Sequence, residues 1–276
     1  MAPQNFVGKT TGDEYLILKK FRLDCNNLDE EIGRSIFSST PNAQNVVEFK
    51  RNFYSHHRFS CASMAIMSEC SLRDIISKQF TYGLPEDCIA IALRETLYRL
   101  SFLHGRGHVH RKIDAGQIFV NRASTGATFK LGFQASTYEH DQEREMASTS
   151  TLPLRDISKW GSAPEIYRGE EEDYKPHSDI WLVGITALEL GYGCFPVRDR
   201  VGFEAVIEEI IKKKKLPTME KLKMIADEET VLEKKFKSMV RKGESEFSPE
   251  FEKVVVKCLS EKPEMRPTAC ASISVN

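Results

Sequence analysis

His108–Asn121 reads HVHRKIDAGQIFVN. Histidines, two cations and a carboxylate crowd into a few positions, and the run closes in an apolar stretch. Before it, Ile89, Leu93, Leu97, Leu100 and Leu103 recur at helical spacing, and Gly105 and Gly107 end the pattern. Further upstream the chain reads as strands with one helix. Tyr15–Phe21 is a short apolar run holding two lysines, 28–36 is charged and helix-like, and 49–66 gives two mixed aromatic and apolar runs around His56 and His57. Around residues 67–72 (MSECSL) the composition turns small and polar, as in a connector. Downstream the chain reads mainly helical. Ile180–Leu190 (IWLVGITALEL) is apolar nearly all round, the mark of a helix buried inside a lobe. Ser248-Pro249 makes an N-cap and first-turn pair, followed by Phe251, Val254, Val255, Cys258 and Leu259 on one helical face. The outline is a small strand-rich lobe, a connector and a larger helical lobe, with a ligand cleft expected between the lobes.

The quoted stretch resembles the catalytic loop of protein kinases, H-R-D-x-K-x-x-N. His110 and Arg111 match, but Lys112 stands where the catalytic aspartate belongs, Asp114 where the lysine belongs, and Gln117 where the metal-holding asparagine belongs. Further matches follow in order: Ala163-Pro164-Glu165, then Ser178-Asp179-Ile180-Trp181 with Val183-Gly184-Ile185-Thr186, then Arg266-Pro267-Thr268. Upstream, Leu16-Ile17-Leu18-Lys19 takes the place of the V-A-I-K strand. The resemblance covers roughly residues 7 to 270 and implies an α+β, bilobal protein-kinase-like fold. Its parts are an N-lobe over 1–66, truncated at its start, a hinge over 67–72 and a helical C-lobe over 73–276. It also implies a structural ion pair between Glu165 and Arg266. TGDEYLILKKFRLDCNN, GLPEDCIAIALRETL and SDIWLVGITALELGYG are similar to the sterile-20 (germinal-centre kinase) branch, and FKLGFQAS with SDIWLVGIT is most similar to the STRAD-type pseudokinase adaptors.

Phosphoryl transfer needs neutralised charge at the phosphates and a carboxylate to accept the hydroxyl proton. The D-F-G region is Leu131-Gly132-Phe133-Gln134. Aligned without a gap, Gly132 replaces the metal-holding Asp; aligned with a three-residue deletion, A-D-F is gone. Both alignments remove the carboxylate. Only Gly8 and Gly12 precede Lys19, so no glycine loop cradles phosphate. Lys19 and Met64 are the nucleotide-binding candidates the resemblance implies, although Lys19 also reads as an ordinary strand lysine. The helix glutamate that would pair with Lys19 falls at Ser35, with Glu30 and Glu31 about one turn away. Asp114 reads as a base only if it reaches the substrate hydroxyl; displaced two positions along an extended loop, it reads more plainly as a brace, to Lys112 or to backbone. His110 reads as a brace for the loop backbone. No catalytic residue is therefore expected to function.

Residues 138–160 correspond to the activation segment, where Ser148-Thr149-Ser150-Thr151 lies near Arg144 and Arg155. Phosphate there would order the loop by pairing with arginine, while the plainer reading is an unmodified stretch of small polar residues. His56, His57, His104, His108 and His110 lack metal-ligand companions at sensible spacing, so no metal site is expected. The seven cysteines form no C-x-x-C pair and read as free thiols of a reducing compartment. Lys212–Lys215 and 170–173 (EEED) read as solvated charge.

In 276 residues, 39 Lys+Arg balance 40 Asp+Glu, which argues against a nucleic-acid binder with a cationic field. No apolar run approaches the ~20 residues of a membrane span, and the first residues lack a secretory apolar core. The resemblance then implies a pseudokinase adaptor. Its partners would be a serine/threonine kinase, of the tumour-suppressor type upstream of AMP-activated kinase, and a helical-repeat scaffold of the Mo25 kind. STRAD adaptors dock that scaffold with an aromatic tail motif, whereas no aromatic residue follows Phe251 here. The expected compartment is the cytoplasm, with the nucleus second. No cofactor is required, ATP is allowed and magnesium is not expected. The alternatives are an active sterile-20-like serine/threonine kinase and an ATP-sensing module that does not hydrolyse it.

Overall fold

The computed structural model describes residues 5–9, 15–22, 49–55, 59–65, 70–105, 107, 109–123, 126–132, 160–168, 175–193, 200–219, 221–222 and 247–273. The first strands are β1 (Asn5–Lys9), β2 (Tyr15–Arg22), β3 (Phe49–Ser55) and β4 (Phe59–Ala65). They form one antiparallel sheet in the order β1-β2-β4-β3. The apolar run at 15–21 thus becomes β2, and the two runs around His56 and His57 become the β3–β4 pair. Gly8 lies within β1, opposite Leu16.

The polar stretch before residue 72 opens a helix that the sequence pattern does not single out. Ser71 is the N-cap of α1 (Leu72–Gln79): its hydroxyl accepts from the Asp74 N–H, and its own N–H donates to the Asp74 carboxylate at 3.2 Å. This reciprocal pair satisfies orphan donors of the first turn. Leu72 is already helical and buried, so the expected connector over 67–72 ends before it. α2 (Glu86–His104) buries Ile89, Leu93, Leu97, Leu100 and Leu103, the stripe read from the sequence. Each such side chain contributes roughly 1.5–3 kcal/mol when fully buried.

The chain after the connector is not all helix. β5 (Ile118–Ala123) and β6 (Gly126–Leu131) pair antiparallel from Ile118–Leu131 to Ala123–Gly126. Here β-branched and aromatic side chains stand in both strands, which favours a pleated surface.

α3 (Pro164–Tyr167) is one short turn. α4 (Pro176–Tyr192) is buried at every position from Ser178 to Tyr192 and forms the axis of the helical lobe. Gly184 lets α4 approach the end of α6 (Pro249–Cys258), since a Cβ there would lie 2.8 Å from Leu259 Cδ2 and 3.0 Å from Cys258 Cβ. Ser248 caps α6 by accepting from the Phe251 N–H at 3.1 Å. α5 (Arg200–Lys213) packs Phe203, Val206, Ile207 and Ile210 inward, and Lys212–Lys215 is exposed. α7 (Ala269–Ile273) packs against α2. Among the described residues no helix is long and apolar enough to cross a membrane. Cys70, Cys88, Cys258 and Cys270 are free thiols.

Candidate functional site: a catalytic loop held by buried charge

The loop between α2 and β5 is fixed from beneath by Asp179 in the first turn of α4. This carboxylate is fully buried and accepts three hydrogen bonds, from the His110 N–H (2.7 Å), the Arg111 N–H (2.8 Å) and His104 Nε2 (2.9 Å). Those bonds hold Arg111 at φ 67°, the left-handed region that non-glycine residues rarely adopt. The His110 ring reaches across to the residue that follows β6, with Nε2 2.7 Å from the Gly132 carbonyl. A carbonyl only accepts, so Nε2 carries the hydrogen. Burial pushes the His110 pKa below its ordinary value, with the nearby Asp179 carboxylate offsetting part of the fall.

Lys112 is partly exposed. Asp114 is buried. Its Oδ1 accepts the Gly116 N–H at 2.8 Å and lies 3.1 Å from Arg73 Nη2. Of the two braces the sequence allowed, the structure has the one to backbone; the cation is Arg73, not Lys112. Arg73, in the first turn of α1, also grips Glu189 of α4 with Nε–Oε1 at 2.6 Å and Nη2–Oε2 at 3.1 Å. Glu189 Oε2 in turn accepts the Ala115 N–H at 3.0 Å. Burial raises the Glu189 pKa and the neighbouring Asp114 adds to the rise, with Arg73 offsetting part of it. Against its own burial, Arg73 is raised above its ordinary value by Glu189 and Asp114. One guanidinium is shared by two carboxylates.

At the loop's far end the Gln117 carbonyl accepts the Gly132 N–H at 2.7 Å. Gly132 is buried, and a Cβ there would lie 2.6 Å from Phe119 Cε2 and 3.1 Å from Gln117 Oε1. The space a side chain at 132 would enter is filled by the Phe119 ring. Of the nucleotide-binding candidates, Lys19 pairs with Asn5 and Ala62, and Met64 with Ile17 and Phe49. That register puts Lys19 and Met64 at positions of the same sheet face. The expectations for Ser35, Glu30, Glu31 and residues 138–159, including Ser148–Thr151, lie outside the described residues. Among the described residues no group of three or more His, Cys, Asp or Glu is placed to hold a metal ion.

Away from the loop, Glu165 and Arg266 meet. Both Nη atoms donate to the carboxylate at 2.7 Å, with the side chains 3% and 0% exposed. Ser178 Oγ donates to the same carboxylate at 2.8 Å. The remaining Arg266 donors go to the carbonyls of Ser260, His177 and Glu261. Burial alone would raise the Glu165 pKa, but the bonds from Arg266 and Ser178 draw it below the usual carboxylate range.

Sequence motifs point to His110, Asp114, Gly132, Asp179, Glu165 and Arg266. They pass over Arg73, Glu189 and Phe119. The one signal for Arg73 is the inverted charge at 114, which requires a cation from elsewhere.

Residues 13–275 match the protein kinase domain family. The chain therefore belongs to the protein kinase domain family. It is similar to the STE20-related kinase adapter protein alpha of Bos taurus, at 26% identity over 95% of this chain and 75% of that protein. The Homo sapiens adapter of the same name is also 26% identical, over 95% of this chain and 65% of its own length. The serine/threonine-protein kinase fray2 of Dictyostelium discoideum is 29% identical over 88% of this chain, which spans 21% of that protein.

Proposed function

We propose that this chain is a catalytically inactive kinase-fold adaptor, which binds a serine/threonine protein kinase and biases its conformation. The observation that carries the reading is the state of Asp114. It is the one carboxylate in the degenerate loop motif, and its Oδ1 is taken up by Arg73 and the Gly116 N–H. A general base must come within about 2.6–3.2 Å of the hydroxyl it deprotonates. Lys112, at the place of the catalytic Asp, has only protons to donate.

The residues also do not fit the magnesium ions that the fold family uses. Gly132 brings no carboxylate, Phe119 fills the space where one would stand, and Gln117 offers a neutral amide. Lys19 and Met64 remain the nucleotide-binding candidates, for ATP held without hydrolysis. The name kinase adapter, carried by relatives aligned over nearly the whole chain, supports the binding role. A helical-repeat scaffold of the Mo25 kind is proposed as a third component, and the cytoplasm as the compartment.

The test incubates the purified chain with ATP, magnesium and a basic protein substrate. In parallel, the activity of a candidate partner kinase is measured with and without the chain. The expected result is no phosphoryl transfer by the chain and a changed activity of the partner. Transfer by the chain that disappears in Asp114→Asn would overturn the proposal.

A further inference from the structure

Asp114 carries the opposite charge to the residue the H-R-D-x-K pattern puts there, and the charge that meets it comes from α1. We infer that Arg73 is the positioning residue of the degenerate loop, and that arginine at 73 and aspartate at 114 form a matched pair. Arg73 holds the loop through two kinds of contact. Its backbone N–H donates to the Ala115 carbonyl at 3.1 Å. Its guanidinium, seated on Glu189, holds the Asp114 carboxylate, which receives the Gly116 N–H. Glu189 receives the Ala115 N–H. Three consecutive loop residues, Asp114, Ala115 and Gly116, are thereby tied to one charge cluster that joins α1 to α4.

The cluster explains why 114 cannot revert by itself. A lysine there would set two cations side by side over Glu189, and the Gly116 N–H would lose its acceptor. Removing Arg73 alone would leave Asp114 and Glu189, two buried carboxylates, facing each other with no cation between them. Making both changes gives one lysine opposite one glutamate, a balanced pair. Each single substitution is therefore harmful, and the double is less harmful than the two added together.

This inference does not rest on the adaptor reading. Its test uses the whole chain without nucleotide or partner, so its failure leaves that reading untouched. Thermal melts and amide hydrogen exchange are run on Arg73→Ala, Asp114→Lys, their double, and Arg73→Lys. Asp114→Lys should lower Tm by about 5–10 °C and speed exchange at the Gly116 amide by about tenfold or more. The double should recover about half of the summed loss. Arg73→Lys, which keeps the charge, should retain most of the protection that Arg73→Ala loses. If Asp114→Lys does not accumulate folded, a cycle of Asp114→Asn with Arg73→Gln reads the same coupling. Additive losses in the cycle, or a Gly116 amide as protected in Arg73→Ala as in the parent, would overturn the inference.

Discussion

Glu165 with Arg266, and Arg73 with Glu189 and Asp114, are two solutions to burying an arginine in the same lobe. In the first, one carboxylate faces one guanidinium, and all five donors of Arg266 find acceptors. In the second, two carboxylates share a guanidinium whose side chain is 17% exposed. The closed pair welds the Ala163-Pro164-Glu165 turn to the segment before α7, leaving no charge over. The open cluster keeps an excess negative charge and gives it to loop amides. Its arginine therefore holds a functional segment in shape as well as joining helices. A buried pair of full stoichiometry reads as structural, whereas an unbalanced one beside a loop reads as positioning.

The largest expected effect breaks the closed pair. Arg266→Ala or Glu165→Ala should each lower stability by about 3–5 kcal/mol, because a buried charge is stranded. Urea denaturation measures this, and unchanged midpoints for both variants would remove the pair from any structural role. Glu189→Gln should be milder, at about 1–3 kcal/mol, since an amide oxygen still accepts while one excess charge disappears. If Glu189→Gln proved as damaging as Arg266→Ala, the distinction between closed and open would fail.

Acidity sharpens the contrast further. Glu165 has a depressed pKa in the folded chain. Its contribution is present above the unfolded value of about 4.3 and is lost as pH falls through the lower folded value. Glu189 has a raised pKa. Its contribution is full below about 4.3 and is lost as pH rises through the folded value. Stability measured between about pH 3 and 7 should thus lose part of its acid decline in Glu165→Gln, and part of its opposite slope in Glu189→Gln. Slopes altered in the same sense would contradict the two assignments.

The two regions are also unequally legible in the sequence. Glu165 and Arg266 stand in short motifs whose order along the chain carries the resemblance, so their meeting follows from the motifs alone. Buried helices are equally plain: α2 and α4 announce themselves through spacing and unbroken apolar character. Arg73 sits in a stretch, MSECSLRD, whose small polar composition reads as a connector. The spacing of Ser71 and Asp74 is a local capping signal, but nothing local tells that the helix it opens aims an arginine at Glu189, 116 positions away. Phe119 is hidden for the opposite reason. As one more apolar residue after the loop it reads as packing, and only the packing of its ring in the folded chain shows that it lies against Gly132. The β5–β6 hairpin escapes a reading by helical spacing because its side chains follow a period of two.

The smallest expected effect is on activity, and it is none. Lys112→Asp returns a carboxylate to the proton-accepting place, but no metal-holding carboxylate stands at Gly132. Adding Gly132→Asp meets the Phe119 ring at 2.6 Å, a contact that needs the ring to move. Overpacking of this kind typically costs about 1–3 kcal/mol. Adding Asp114→Lys sets a second cation beside Arg73, and Gln117→Asn only shortens an amide. The quadruple variant is therefore expected to be less stable than the parent and to transfer no phosphate, because two residues outside the motif oppose it. Relieving them with Phe119→Leu and Arg73→Ala should restore stability first. Each variant is melted and then assayed with ATP, magnesium and a basic substrate. Stability recovered by the two outer substitutions, with activity still absent or just detectable, fits a loop whose degeneration is shared with its surroundings. Robust transfer from Lys112→Asp alone would show that the motif residues act independently of Arg73 and Phe119. The open cluster would then be a stabilising pair of the same kind as Glu165–Arg266.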